Sequence, residues 1–414
     1  MSPFDPDRRQ FLQSAAVATA ALAQPKLSLG AANDELPYGI VDVIDSDPQT
    51  GMSRAVVVGN VPLVHTEQFG TKELPATIAK PKLDDPQKIA EHLASSIAEL
   101  TAVLHVAGSS LAQVVKFNFV LSHPRGQAVV NDWLKSTYAG RYRPAVSFVV
   151  NSIPDSHFDH LVKVDAVATR RDAVAPVNVV SYDAAAVLPP MHKLYISGDA
   201  VTEPLMASVA GTLDSLEQTL KHVGLDWSYA VQLKVFLQPI ILANDVRREM
   251  KTYFGKRPMP VTVFVEWKSA ATVPIEIELI AAALPELGNR ERVAVEYITP
   301  PHKKPSPVYC RAVRVNSERT IYVSGLYGEP SDAAGQVRDL LTTLQKTVEQ
   351  AGGDLRHLVK ATYYVSDDAT SKALNEIRPE FYDPARPPAA SKAIVMGTGR
   401  AEKSITLDMI AVPK

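Results

Sequence analysis

Apolar residues recur along this chain in one pattern, three times. Leu93, Ile97, Leu100 and Leu104 precede Gly108; Val209, Leu213, Leu216 and Leu220 precede Gly224; Val337, Leu341, Leu344 and Val348 precede Gly352. Spacings of 4, 3 and 4 put the four side chains of each set on one helix face. The glycine falls where a left-handed C-terminal cap is wanted.

The match continues downstream. An alternating β pattern follows each glycine, over Lys116 to Leu121, Gln232 to Leu237 and Lys360 to Val365. A second helical stretch carries Val130, Val246 and Leu374 at one offset and Tyr138, Phe254 and Tyr382 at another. Two strands close each unit: Ala145 to Val150 with Leu161 to Ala168, Val261 to Glu266 with Ile275 to Ala282, and Ser391 to Val395 with Ile405 to Val412. The reading is α+β, three tandem copies of a β-α-β-α-β-β domain. The repeat is too long for a solenoid unit, so each copy should own a core. The expected units are 38–170, 178–284 and 308–414, with a Pro-rich, charged linker over 285–307 and an insertion in the first copy from about Gly70 to Asp85. His302, Lys303 and Lys304 in that linker read as solvated.

Composition narrows function by exclusion. At 414 residues, 46% hydrophobic and 21% charged, the chain is ordinary for a soluble globular protein, and a formal charge of −2 offers no footprint for nucleic acid. A single cysteine, Cys310, excludes an intramolecular disulfide. No phosphate loop, nucleophile elbow or dinucleotide fingerprint occurs, and no cofactor is expected. At the N-terminus, Arg8-Arg9-Gln10-Phe11-Leu12, an alanine-rich stretch from Ala15 to Ala23 and an Ala21-Leu22-Ala23 cleavage site resemble a twin-arginine export signal within residues 1–30. That implies a bacterial periplasmic or other extracytoplasmic location. No apolar run is long enough for stable membrane insertion.

The element order, with Tyr195-Ile-Ser-Gly198, Tyr322-Val-Ser-Gly325, Leu358-Val-Lys360, Ile275-Glu-Ile-Glu278 and Leu407-Asp-Met-Ile-Ala411, resembles the RidA/YjgF family of small trimeric proteins, also labelled endoribonuclease L-PSP. The resemblance covers nearly the whole mature chain, once per copy. It implies a chorismate-mutase-like fold, an intramolecular pseudo-trimer built by one chain, and a monomer in solution. Many members hydrolyse reactive enamines or imines to keto acids, with a small-molecule ligand bound between subunits.

Carried over residue by residue, the family's site is scattered. The tyrosine matches at Tyr182 and Tyr309, with Gly51 at that offset in the first copy. Ser197-Gly198 and Ser324-Gly325 are kept, and Thr66-Glu67 stands in their place in the first copy. The helix asparagine matches at Asn131 and Asn375 and is Arg247 in the second copy. The catalytic glutamate survives only as Glu276, against Lys163 and Thr406. For the carboxylate-anchoring arginine there are two registers. Pro384-Ala385-Arg386 reads like the family signature and makes Arg386 the anchor. Gap-free counting instead levels Pro388-Ala389-Ala390-Ser391 with Pro144-Ala145-Val146-Ser147, so that the anchor positions are Val146, Ala390 and either Pro260 or Thr262. We favour the second, because a one-residue slip turns every strand side chain over.

Other polar residues carry weaker signals. His65 and Glu67 share a strand face, as an acid and base pair or a satisfied polar edge. Lys163 and Asp165 are expected to face solvent or each other's neighbours. His157, Asp159 and His160 form a short cluster that lacks a fourth ligand, and no metal site is expected. If the leader is read as a twin-arginine signal, replacing Arg8 and Arg9 with Lys should block export, since that receptor reads guanidinium groups rather than charge. A fusion reporter should then show precursor retained in the cytoplasm, and unchanged export would refute the motif.

Overall fold

The computed structural model describes residues 35–70, 83–140, 142–151, 160–172, 174–190, 192–269, 272–284, 293–301 and 303–414. The expected leader, most of the insertion after Gly70, and His157 and Asp159 lie outside them.

Among the described residues each repeat contributes eight strands and α-helices, two more than the sequence pattern suggested. The first runs β1 (Ile40–Asp47), β2 (Met52–Val58), β3 (Leu63–Thr66), α1 (Pro86–Val106), β4 (Val114–Leu121), α2 (Gly126–Thr137), β5 (Ala145–Val150) and β6 (Val162–Thr169). The second is β7 (Val180–Ser181), β8 (Ala185–Leu188), β9 (Lys193–Asp199), α3 (Leu205–His222), β10 (Ala230–Leu237), α4 (Ala243–Phe254), β11 (Val261–Glu266) and β12 (Ile275–Ala282). The third is β13 (Val295–Ile298), β14 (Ala312–Val315), β15 (Thr320–Val323), α5 (Ala333–Gln350), β16 (Leu358–Val365), α6 (Asp368–Ile377), β17 (Ala389–Ile394) and β18 (Ile405–Ala411). The expected linker therefore holds a strand, β13.

Local chemistry explains the long helices. Asp85 caps α1 by accepting from the Gln87 and Lys88 amides, and Asp332 caps α5 by accepting from the Gly335 amide. Each long helix ends before a glycine at positive φ, 76° at Gly108, 76° at Gly224 and 83° at Gly352, a conformation that costs other residues a Cβ clash. The predicted stripes are buried: Leu93, Leu100 and Leu104, Val209, Leu213 and Leu216, and Val337, Leu341 and Leu344 all face the sheets.

The sheets do not follow the repeats. Three six-stranded sheets form, in the orders β5-β4-β6-β3-β8-β7, β11-β10-β12-β9-β14-β13 and β1-β2-β15-β18-β16-β17. Four strands of each come from one repeat and two from another. The hairpin β7–β8 completes the first repeat's sheet, β13–β14 completes the second's, and β1–β2 from the N-terminus completes the third's, closing a ring. Pairing across each boundary is antiparallel, with Leu63 opposite Leu188, Lys193 opposite Val315 and Thr320 opposite Val58. These pairings correct one alignment: His65, Tyr195 and Tyr322 are equivalent, so Glu67-Gln68, not Thr66-Glu67, stands level with the two Ser-Gly pairs.

The three sheets meet around a pseudo-threefold axis. Side chains alternate between the helix layer and the axis. At one end of the axis Val120, Phe236 and Tyr364 pack with Val149, Val265 and Ala393. A bulge recurs at the start of β4, β10 and β16, just ahead of Lys116, Gln232 and Lys360, where extra twist helps the sheets curl inward.

The exchange makes a local prediction. Val57, on the N-terminal hairpin, is 3% exposed and packs in the third repeat's core with Ile321, Leu344 and Met409. Val57→Ala should cost about 2 kcal/mol. Hydrogen exchange should rise more in α5 and β18 than in α1, although residue 57 belongs to the first repeat.

Candidate functional site: three junctions and a charged axis

Where the Ser-Gly end of one repeat meets the penultimate strand of the next, the structure makes three junctions, and each carries different side chains. Between the second and third repeats, the Gly198 amide donates to Ser391 Oγ at 2.9 Å. Glu276 lies over the same glycine: a Cβ at position 198 would overlap both its carboxylate and the Ser391 hydroxyl, so a larger residue would push both side chains aside. Arg311 closes the other side. Its Nη1 donates to Gly198 O at 2.9 Å and lies 3.4 Å from Asp199 Oδ1. Asp199 is also held by Lys303 at 3.1 Å, so that residue is tied to the second repeat rather than solvated.

Glu276 keeps some solvent access. Burial pushes its carboxyl up to about 7, with Glu278 and Asp199 adding to the shift while Ser391 and Arg311 oppose it. A partly accessible carboxyl near neutrality can give or take a proton at physiological pH.

The other two junctions are filled differently. Between the third and first repeats, Ser324 Oγ accepts from the Val146 amide at 2.8 Å and donates to Ser53 O at 2.6 Å, and the Gly325 amide donates to Val146 O at 2.8 Å. Thr406 takes the glutamate position there. Between the first and second repeats, Arg247 crosses from α4 to Glu67 at 2.9 Å, with its guanidinium 5.2 Å from the Phe264 ring centre, and Gln68 donates to Phe264 O at 3.2 Å. Lys163 takes the glutamate position.

Strand pairing aligns the three copies with one another at the start of the penultimate strand. Lys116, Gln232 and Lys360 face Ala145, Val261 and Ala389, so Val146, Thr262 and Ala390 are equivalent. Arg386 lies on the preceding loop, half exposed, 4.0 Å from Asp383. Of the remaining expected residues, Tyr182 accepts from Arg170 at 3.0 Å, Tyr309 packs on the third repeat's core, Asn375 accepts from Lys392 at 3.1 Å, and Asn131 Oδ1 is buried without a partner. None of these meets Glu276. Ser197, Gly198 and Glu276 do come together, joined by Ser391 and by Arg311, which the sequence reading missed because the exchanged hairpin delivers it.

The second site is the axis itself. Lys116, Asn118, Gln232, Lys234, Glu278, Lys360 and Asp408 line a small cavity with His65 and Tyr322, under a ring of Val167, Ile280 and Ile410. Lys360 pairs with Glu278 at 2.9 Å; Lys234 and Lys116 both reach Asp408, at 2.5 and 3.5 Å. Asp165, expected at the surface, is 3% exposed and bonds to Asn118 at 2.8 Å. Burial raises its carboxyl to about 6. For Asp408 burial acts in the same sense, yet Lys234, Lys116 and Lys360 outweigh it and hold the carboxyl well below the usual range. His65 faces this cavity while Glu67 pairs with Arg247, so they are not an acid and base pair. Among the described residues no group of three His, Cys, Asp or Glu side chains is placed to hold a metal ion, and no helix is long and apolar enough to cross a membrane.

Residues 302–411 match the family model described as Endoribonuclease L-PSP. The match makes the chain's third repeat a member of the RidA/YjgF family. The three domains are RidA-like α+β units forming a pseudo-trimer within one chain. Among solved structures, a YjgF-family protein from Neisseria meningitidis is 24% identical over 29% of this chain and 95% of its own, with a TM-score of 0.23. A YjgF-family member from Mycobacterium tuberculosis is 27% identical over 25% of this chain and 86% of its own, at a TM-score of 0.22. RidA from an Antarctic Psychrobacter is 21% identical over 22% of this chain and 80% of its own, at 0.21. No curated protein matches the chain.

Glu276 gives this site a pH signature. An unconstrained Glu titrates near ~4.3, and the folded protein holds this one near 7. Between those values the folded state binds more protons, so stability is full at low pH and falls as pH rises through about 7. Glu276→Gln should therefore melt above the wild type at pH ~8 and level with it at pH ~4, by calorimetry. Equal melting at both pH values would contradict the buried-acid reading.

Proposed function

We propose that this protein is an exported, monomeric RidA-family binder of a small metabolite, with diverged junctions and little or no imine deaminase activity. The observation that carries the reading is that Val146, Thr262 and Ala390 share one position in the three copies, which on the favoured register is that of the family's anchoring arginine. Without a guanidinium there, a keto or imino acid loses the bidentate partner for its carboxylate, worth on the order of 1.5–3 kcal/mol. The same junctions are occupied by the protein's own contacts, Arg247 with Glu67 in one and Ser324 with Val146 in another. The junction with Glu276 favours a neutral, hydrogen-bonding ligand, because Glu276 and Asp199 both disfavour a second carboxylate.

One observation supports a second reading, an imine hydrolase with a relocated anchor. Arg311 is 8% exposed and its Nε is buried without a hydrogen-bond partner beside Glu276. In that reading Arg311 takes the carboxylate and Glu276 orients water.

Hydrolysis of the imine formed from 2-aminoacrylate, with 2-oxobutyrate titrated by calorimetry, separates the two. The binder reading expects carboxylate affinity roughly tenfold to a hundredfold below that of an arginine-anchored site, and residual turnover that disappears in Glu276→Gln. Robust turnover lost in Arg311→Met establishes the hydrolase. Robust turnover lost in Arg386→Ala overturns the strand register.

A further inference from the structure

The axial cavity has a charge imbalance that the junction chemistry does not use. Its volume is about 20 Å3, enough for one particle of about water's size. Three ammonium groups face it, Lys116, Lys234 and Lys360, and two carboxylates, Glu278 and Asp408. Asp165, the third acid of the ring, is not on the cavity wall and is bonded to Asn118 instead. Burial, with Lys234 and Lys360 nearby, lowers Lys116 to about 8 even though Asp408 opposes the shift. Three ammonium groups are crowded here against two wall carboxylates, and Asp165 behind the wall balances them only while it is ionised.

Two donors at the cavity are also only loosely held. The Tyr322 hydroxyl is 2% exposed and has no hydrogen-bond partner of good geometry, although Tyr195 stands near it. Neither ring nitrogen of His65 makes a well-aligned hydrogen bond at 1% exposure, although Gln232 stands near it and gives its own amide to Thr66 O at 3.3 Å. Lys234 spends two protons, on Asp408 and on Tyr364 at 3.3 Å, leaving one. Loosely held buried donors beside crowded positive charge favour an acceptor carrying negative charge.

We propose that the cavity on the pseudo-threefold axis binds one small monatomic anion of the halide class, held by Lys234, Tyr322 and His65. Sulfate and phosphate are too large for it, and the lysines exclude cations. The titratable groups facing the site from all three repeats are Lys116, Lys234, Lys360, Glu278, Asp408, His65 and Tyr322, with Asp165, Tyr195 and Tyr364 behind them. Asp165 is the one poised near 6, so the site gains net positive charge, and anion affinity, as pH falls below that value.

Crystals of the full chain grown in bromide, with diffraction recorded at the bromine edge, test the assignment. An anomalous peak in the cavity is expected. In solution, chloride or bromide should raise the melting temperature saturably over gluconate at equal ionic strength, more at pH ~5.5 than at ~7.5. Tyr322→Phe keeps the ring and should weaken the halide effect roughly tenfold. Cavity density without anomalous signal identifies a water and overturns the proposal. So does a crystal peak with no saturable halide effect in solution.

Discussion

An open sheet edge is the constraint on which the rest of this molecule depends. Taken alone, each repeat's four-stranded core ends at β3, β9 or β15, with a row of backbone amides and carbonyls that must be paired. The next repeat's hairpin pairs that row in two cases. In the third the N-terminal hairpin does so, and residues 55–58 meet residues 320–323. Every sheet is thereby shared, and no repeat has a complete fold of its own. Exchange also positions chemistry, because Arg311 reaches the Glu276 junction as part of the lead-in to β14, a strand of the hairpin that completes the second repeat's sheet.

Fusion of the copies changes what the axis can hold. In a trimer of identical chains each axial position appears three times, so a lysine there makes a ring of three like charges. Here the equivalent sets are mixed: Lys116, Gln232 and Lys360 on one level, Asn118, Lys234 and Thr362 on the next, and Asp165, Glu278 and Asp408 opposite. Opposite charges can meet across repeats, as Lys234 meets Asp408 and Lys360 meets Glu278. Breaking such a buried pair by removing one partner typically costs about 3–5 kcal/mol. As a hypothesis, the cluster also selects the arrangement of the repeats, since rotating one against the others would bring lysines together.

The helices and core strands were legible because their signals are local. A stripe with fixed spacing, a capping aspartate and a glycine at positive φ act within a few residues of each other, and they recur three times. The alignment of the copies with one another over the penultimate strand was legible for the same reason, through strand alternation. The exchange was not. Residues 59–62, 189–192 and 316–319 connect two strands at equal length whether those strands pair with each other or enter different sheets, so the sequence carries no local mark of the choice. Asp165 was misplaced because strand alternation reveals that a face is polar, and not that the polar face is turned inward to an axis. Glu67 was shifted by one for want of a partner strand to fix its register. Arg247, noted only as a departure from asparagine, closes a junction by a contact 180 residues distant in sequence.

The closed ring of exchanged strands is the central claim, and a designed cross-link tests it most directly. Val57 and Ile321 are opposite each other on β2 and β15. With cysteines at both positions, mild oxidation followed by peptide mapping should find residue 57 joined to residue 321 within a single chain, at monomer mass. If the hairpin instead folded back on its own repeat, the two cysteines would be in separate sheets. No intrachain link, or links only between chains, would contradict the ring.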